Sequence, residues 1–138
     1  MNKTLSLSAS LDNLESFLAY VRSFAASCGV DAKLLYPVEL SLEEVLVNVI
    51  SYAYPNEEKG NIEVSCSWDS QQGLAIQIVD YGTVFDPLEK PDPDTGLSLD
   101  EREIGGLGIF LTKKMMDKVT YERSQGKNIL TMIKQITS

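Results

Sequence analysis

Apolar and polar residues alternate along residues 3–9 (KTLSLSA), a pattern that predicts a short strand. The period then changes. Leu14, Leu18, Val21, Ala25 and Cys28 recur at helical spacing, and Phe17 and Phe24 widen the stripe. Ser10 or Asp12 can cap this first helix, and Gly29 can end it. Asp31 can open a short helical turn. A second helix is expected with Pro37 in its first turn, running to about Tyr54, where Pro55 and the PNEEKGN stretch stop it.

The period returns to two in NIEVSCSW, where Ile62, Val64, Cys66 and Trp68 alternate with polar residues, and again in GLAIQIVDYG, where Leu74, Ile76 and Ile78 do so. DSQQ and Gly73 between them suit a hairpin. From Phe85 to Glu103 the chain is rich in proline, aspartate and glycine. Structureless stretches longer than about 12–15 residues are uncommon in compact domains and are often lids or disordered segments. GGLGIFLTKKMMDKV then predicts a glycine-rich entry to a helix, with Ile109, Leu111, Met115 and Met116 available for packing. VTYERSQGKNILTMIKQI reads as two strands around SQGKN. With no internal repeat and no boundary signal, residues 1–138 are expected to form a single domain. The order β α α β β loop α β β predicts an α+β fold: a two-layer sandwich, its mostly antiparallel sheet covered by helices on one face.

Composition narrows the chemistry. The net charge is −8, with 12 basic residues against 20 acidic, so nucleic acid and anionic membrane surfaces are poor partners. One small anionic ligand held by backbone N–H groups and a metal is still compatible with that charge. Histidine is absent, which excludes imidazole metal sites and nucleophiles activated by histidine. Cys28 and Cys66 are isolated and read as small core residues. The N-terminus lacks the pattern of a signal peptide, and no run reaches the ~18–20 apolar residues of a membrane span, so the cytoplasm is the expected compartment.

Three stretches carry candidate chemistry. In the second helix, Ser41, Glu44, Asn48 and Ser51 form a polar strip beside Leu42, Val45, Leu46, Val49, Ile50 and Ala53. An amide oxygen there is a hard ligand suited to Mg, and a carboxylate one turn away can accept a proton. The same strip also fits a solvated helix edge. In DYGTVFDP, Asp80 at a strand end can accept from an exocyclic amine and Gly82 permits a sharp turn, although a purely structural loop entry has the same residues. In GGLG, Gly105, Gly106 and Gly108 precede a helix. Such a loop suits a phosphate and equally suits a hinge. It is neither a Walker A loop nor a dinucleotide fingerprint, since Leu111 stands at the third glycine position of the latter. Together the three stretches can hold one nucleotide, with phosphates between Asn48 and the GGLG amides and the base near Asp80.

EVLVN, DYGTVFDP and GGLGI resemble the N, G1 and G2 boxes of the GHKL (Bergerat) ATPase fold, shared by gyrase, histidine kinases and heat-shock chaperones. The finer resemblance is to anti-sigma-factor serine kinases. It rests on compact size, the E-x-x-x-N helix, FDP after the G1 aspartate, the GGLG helix start and the terminal YERSQGKNILTMIK. It spans residues 5 to 135. The resemblance implies ATP and Mg as cofactors, Glu44 as general base and Asn48 as the Mg ligand. It further implies Asp80 as reader of the adenine amine, Gly82 as the turn glycine, and Gly106, Leu107 and Gly108 as the phosphate loop. Thr131 is implied to support the adenine through water, and Arg102 to reach the terminal phosphate, an exposed surface arginine being the other reading. Two departures stand out. Val84 replaces the second G1 glycine, as in the serine-kinase branch, and Tyr52 stands where relatives often have histidine.

The implied function is an ATP-dependent anti-sigma factor and protein-serine kinase. It would phosphorylate a STAS-type antagonist on serine or threonine, sequester a sigma factor and work as a homodimer. The alternative is a non-catalytic ATP-binding switch that acts by sequestration alone. Glu44 counts against that alternative, because a pure binder needs no base. A detached histidine-kinase catalytic domain is a further rival, weakened by the lack of histidine.

Overall fold

The computed structural model describes residues 2–54, 60–89 and 112–135. Among them, five strands form one antiparallel sheet: β1 (Asn2–Ser8), β2 (Asn61–Asp69), β3 (Gly73–Asp80), β4 (Lys118–Ser124) and β5 (Lys127–Lys134). Their order is β1-β2-β3-β5-β4, so β5 inserts between β3 and β4. Helices α1 (Leu14–Ser27) and α2 (Ala32–Asn48) supply the buried side chains of the second layer. The α+β two-layer expectation therefore holds.

Period two explains why one sheet face is apolar. Ile62, Val64 and Cys66 of β2, Leu74, Ile76 and Ile78 of β3, and Leu130 and Met132 of β5 all point to the helices and are buried. They meet Phe17 and Val21 of α1 and Val38, Leu42, Val45 and Leu46 of α2. Truncating one such core residue to alanine costs about 2–5 kcal/mol. The intervening residues, among them Ser65, Gln77 and Thr131, lie on the other face and are more accessible.

Local signals set the joints. Ser10 Oγ accepts from Asp12 N at 3.2 Å and caps a 3-10 turn (Leu11–Asn13) that leads into α1. After α1, Gly29 N and Val30 N bond back to Ala26 and Ala25 carbonyls, closing the helix end. In the β2–β3 hairpin, Asp69 Oδ1 accepts from Gln71 N and Gln72 N. The β4–β5 turn places Gln125 at φ 52° and Gly126 at φ 78°, the twist that a two-residue hairpin requires.

The second helix differs from expectation at both ends. Asp31 does not open a separate turn. Its Oδ1 accepts from Lys33 N at 2.9 Å and caps one continuous α2 from Ala32, with Pro37 inside it. Pro37 lies near the N-terminus, so its missing N–H removes one bond near the helix start while the rest of the helix continues. At the other end, α-helix gives way at Val49 to a π-helical turn, Val49–Ala53. Residues 112–115 are helical, but Met116 and Asp117 form a bend and β4 begins at Lys118, so the third helix ends earlier than expected; its part before residue 112 lies outside the described residues.

Candidate nucleotide site

Helix α2 carries the first half of the site. Leu42, Val45 and Leu46 are wholly buried, which fixes the helix rotation. Asn48 is equally buried at 0% exposure. Its Nδ2 donates to the Glu44 carbonyl at 2.7 Å, and its Oδ1 has no hydrogen-bond partner among the described residues. A buried unpaired amide oxygen costs about 1–3 kcal/mol, so its retention points to a ligand. The Mg fits this atom, because Mg takes hard oxygen donors and keeps water and phosphate in its shell. Among the described residues no three His, Cys, Asp or Glu side chains cluster as a cage, so such an ion would draw most of its ligands from phosphate and water.

Glu44 is half-buried, and burial first, with Glu43 second, holds its carboxyl above the usual carboxylate range. A carboxylate raised in this way is a stronger base than an exposed one. Ser41, on the same helix face as Asn48, is wholly buried, and its Oγ also has no hydrogen-bond partner among the described residues.

The π-helical turn carries the chain from Asn48 to the β3 exit. Ala53 O accepts from Thr83 N at 2.8 Å and from Thr83 Oγ1 at 3.3 Å. Gly82 passes so close that a Cβ there would lie 2.1 Å from Ala53 O, so no other residue fits without backbone movement. Tyr54 Oη accepts from Tyr81 N at 2.7 Å and donates to Asn61 O at 2.8 Å. Tyr52 packs against Phe85 with ring centroids 5.4 Å apart. The loop after Asp80 is thereby docked on the end of the second helix.

Asp80 ends β3 at 2% exposure. Its Oδ1 accepts from Gly82 N and from Asn128 Nδ2, both at 2.9 Å. Burial raises its carboxyl, and the Asn128 and Gly82 hydrogen bonds and the nearby Arg123 guanidinium pull it back down.

Sequence reasoning missed Asn128. The residue is 3% exposed and joins Asp80, Thr83 O, Phe85 N, Tyr121 Oη and Arg123 in one cluster. A usable signal existed: Asn128, Leu130 and Met132 share the inward register of β5, so a polar side chain at Asn128 must enter the buried layer. The same register corrects the expectation for Thr131. Thr131 pairs with Gln77 and Thr120 and lines a groove with Thr4, Ser65 and Ser67 on the far face of the sheet. One residue's offset from Leu130 puts it opposite Asp80's side, so it does not join the site. Glu44, Asn48, Asp80 and Gly82 lie on the joined α2 and β3 segments. Arg102, Gly106, Leu107 and Gly108 lie outside the described residues.

Comparison with known proteins adds identity to this geometry. Residues 7–134 match the histidine kinase-like ATPase domain family. Over 129 residues the chain is 27% identical to the serine/threonine-protein kinase BtrW of Bordetella bronchiseptica, covering 94% of this chain and 90% of that protein. It is 25% identical to an anti-sigma F factor of Clostridium acetobutylicum, covering 83% of this chain and 79% of that one. It is also 25% identical to the serine-protein kinase RsbW of Listeria monocytogenes, covering 92% and 83% respectively. A crystal structure of the RsbU and RsbW domains of Rv1364c from Mycobacterium tuberculosis superposes with a TM-score of 0.68 at 12% identity. That likeness, which concerns the fold alone, covers 98% of this chain and 32% of the longer one. The chain belongs to the histidine kinase-like ATPase domain family, and the relatives it resembles are serine kinases and an anti-sigma factor.

Proposed function

We propose that this chain is an ATP-dependent protein-serine kinase that doubles as an anti-sigma factor. The observation that carries the reading is the buried Oδ1 of Asn48, without a hydrogen-bond partner among the described residues, one helical turn from the half-buried Glu44 carboxyl. A binding module needs the first and has no use for the second. The names of the relatives support both halves of the proposal.

In this reading Asp80 accepts from the adenine amine while Gly82 lets the loop pass over Ala53. Asn48 Oδ1 holds Mg, which when bound supplies charge neutralisation for the phosphates. The glycines Gly106 and Gly108, with Leu107 between them, contribute amides to the same phosphates, and Arg102 contributes charge. Glu44 takes the proton from the attacking serine or threonine hydroxyl as its oxygen bonds to the terminal phosphorus and the bond to ADP breaks. The substrate is a STAS-type antagonist, and the regulated partner is a sigma factor held while the antagonist is phosphorylated. The working unit is a homodimer in the cytoplasm. Among the described residues no helix is long and apolar enough to cross a membrane.

The test is phosphotransfer from labelled ATP with Mg to STAS-type proteins. Transfer to a serine or threonine of one of them is expected. ATP binding with no transfer to any of them would leave the sequestration switch as the better account.

A further inference from the structure

Asp80, Asn128 and Arg123 form a row across three strands, because Asp80 pairs with Asn128 and Asn128 with Arg123. Within this row the Asn128 amide is fully used. Its Nδ2 donates to Asp80 Oδ1 at 2.9 Å and to Thr83 O at 2.7 Å. Its Oδ1 accepts from Phe85 N at 3.3 Å, Arg123 Nη1 at 3.2 Å and the Tyr121 hydroxyl. Rotating the amide by half a turn would set oxygen against two acceptors and nitrogen against two groups that only donate, Phe85 N–H and the Arg123 guanidinium, so one orientation is favoured. Arg123 Nη1 also reaches Gly82 O at 3.0 Å, which locks the row to the loop.

The consequence falls on Asp80. Both of its hydrogen bonds among the described residues land on Oδ1, which fixes the carboxylate plane and leaves Oδ2 as the accepting edge. A carboxylate edge accepts from a 6-amino purine. A protonated edge would instead donate to a 6-keto purine. The groups facing Asp80 are Tyr54 from the end of the second helix, Tyr121 and Arg123 from β4, Asn128 from β5 and the apolar Ile62 from β2. Arg123 is the cation among these groups, and Asn128 is the side chain that donates to the carboxylate.

We propose that Asn128 is a positioning residue for purine selection: it keeps Asp80 an oriented acceptor and thereby makes the site prefer a 6-amino over a 6-keto purine nucleotide. This rests on the base-reading role given to Asp80 under the proposed function. Removing Asn128 takes away the hydrogen bond that most offsets the burial of Asp80, so the carboxyl gains a proton more readily and the preference erodes.

The experiment is competition of ATP and ITP, which differ at purine position 6, against a fluorescent ATP analogue on the full chain. Wild type is expected to prefer ATP by tenfold or more, as for a site built around one hydrogen-bonding group, an effect of about tenfold. Asn128→Leu should cut that ratio by about tenfold, more at mildly acidic than at mildly alkaline pH. Arg123→Gln, an exposed change that leaves Asn128 in place, should move the ratio in the same direction by less, and it serves if Asn128→Leu does not fold. A purely structural role would weaken ATP and ITP together and leave the ratio unchanged. An unchanged ratio in the folded variants overturns the role of Asn128. Wild type binding neither nucleotide, or both alike, overturns the base-reading role of Asp80 and this inference with it.

Discussion

Asn48 Nδ2 donates to the Glu44 carbonyl oxygen at 2.7 Å, while Asn48 Oδ1 has no hydrogen-bond partner among the described residues. The bond to the preceding turn orients the amide, so the oxygen is presented by the helix itself. Replacing Asn48 by leucine, similar in size, removes the unpartnered oxygen. The expected outcome is a chain as stable as wild type or more so, by up to ~1 kcal/mol, that no longer shows Mg-dependent ATP binding. Thermal melts with and without ATP and Mg check both halves. A variant that melts higher and still gains stability from ATP-Mg would remove Asn48 from the site.

Glu44 has the environment of a base, since burial and Glu43 both raise its carboxyl. Glu44→Gln should keep ATP affinity and lose phosphotransfer by about 10²–10⁴-fold. The sign with pH follows from the raised value. The base works only when deprotonated, so the transfer rate should rise with pH through a limb lying above the ordinary carboxylate range. Single-turnover transfer across pH measures it. A limb at or below the ordinary range would mean that Glu44 is not the titrating group.

Gly82→Ala should be disruptive beyond its size. The added methyl would sit 2.1 Å from the Ala53 carbonyl oxygen, and backbone cannot step aside as a flexible side chain can. A loss of about 1–3 kcal/mol in urea unfolding, with weaker ATP binding, is expected. A variant of wild-type stability would show that the loop and the π-helical turn are not held together.

Cys66 is 1% exposed, and burial pushes its thiol up to about 12, whereas Cys28 is partly accessible. At mildly alkaline pH a thiol reagent should label Cys28 readily and Cys66 only after denaturation. Mass spectrometry of labelled peptides distinguishes the two. Rapid labelling of Cys66 in the native protein would contradict its place under the helices.

Thr131 lies on the outer sheet face beside Gln77 and Thr120. Thr131→Val should therefore leave ATP affinity within about twofold of wild type, as expected for a surface change away from special features. A loss of tenfold would return Thr131 to the nucleotide site.

Much of this protein was legible in one dimension. The apolar stripe of α1 and the alternation in β2, β3 and β5 are local periods, set by 3.6 and 2 residues per repeat, and they give the α+β sandwich directly. Asn48 and Glu44 were equally legible, because helical spacing alone puts them on one strip and an amide in an apolar run is conspicuous. Helix ends were less so. Pro37 reads as a helix start, yet α2 already begins at Ala32 behind the Asp31 cap and runs through Pro37, and the π-helical turn after Asn48 leaves no periodic trace.

The sequence by itself determined which residues could be a base, a metal ligand and a reader of the nucleobase, because side-chain chemistry and local periodicity belong to neighbours along the chain. Tertiary structure alone decided that Asn128, and not Thr131, stands beside Asp80. That choice is a matter of register between strands 48 residues apart, where a shift of one position sends every side chain to the opposite face. It also decided that Gly82 must lie against Ala53, a contact made by folding the second helix onto the end of β3. Such contacts depend on how the layers pack, and a linear pattern carries no information about the distance between them.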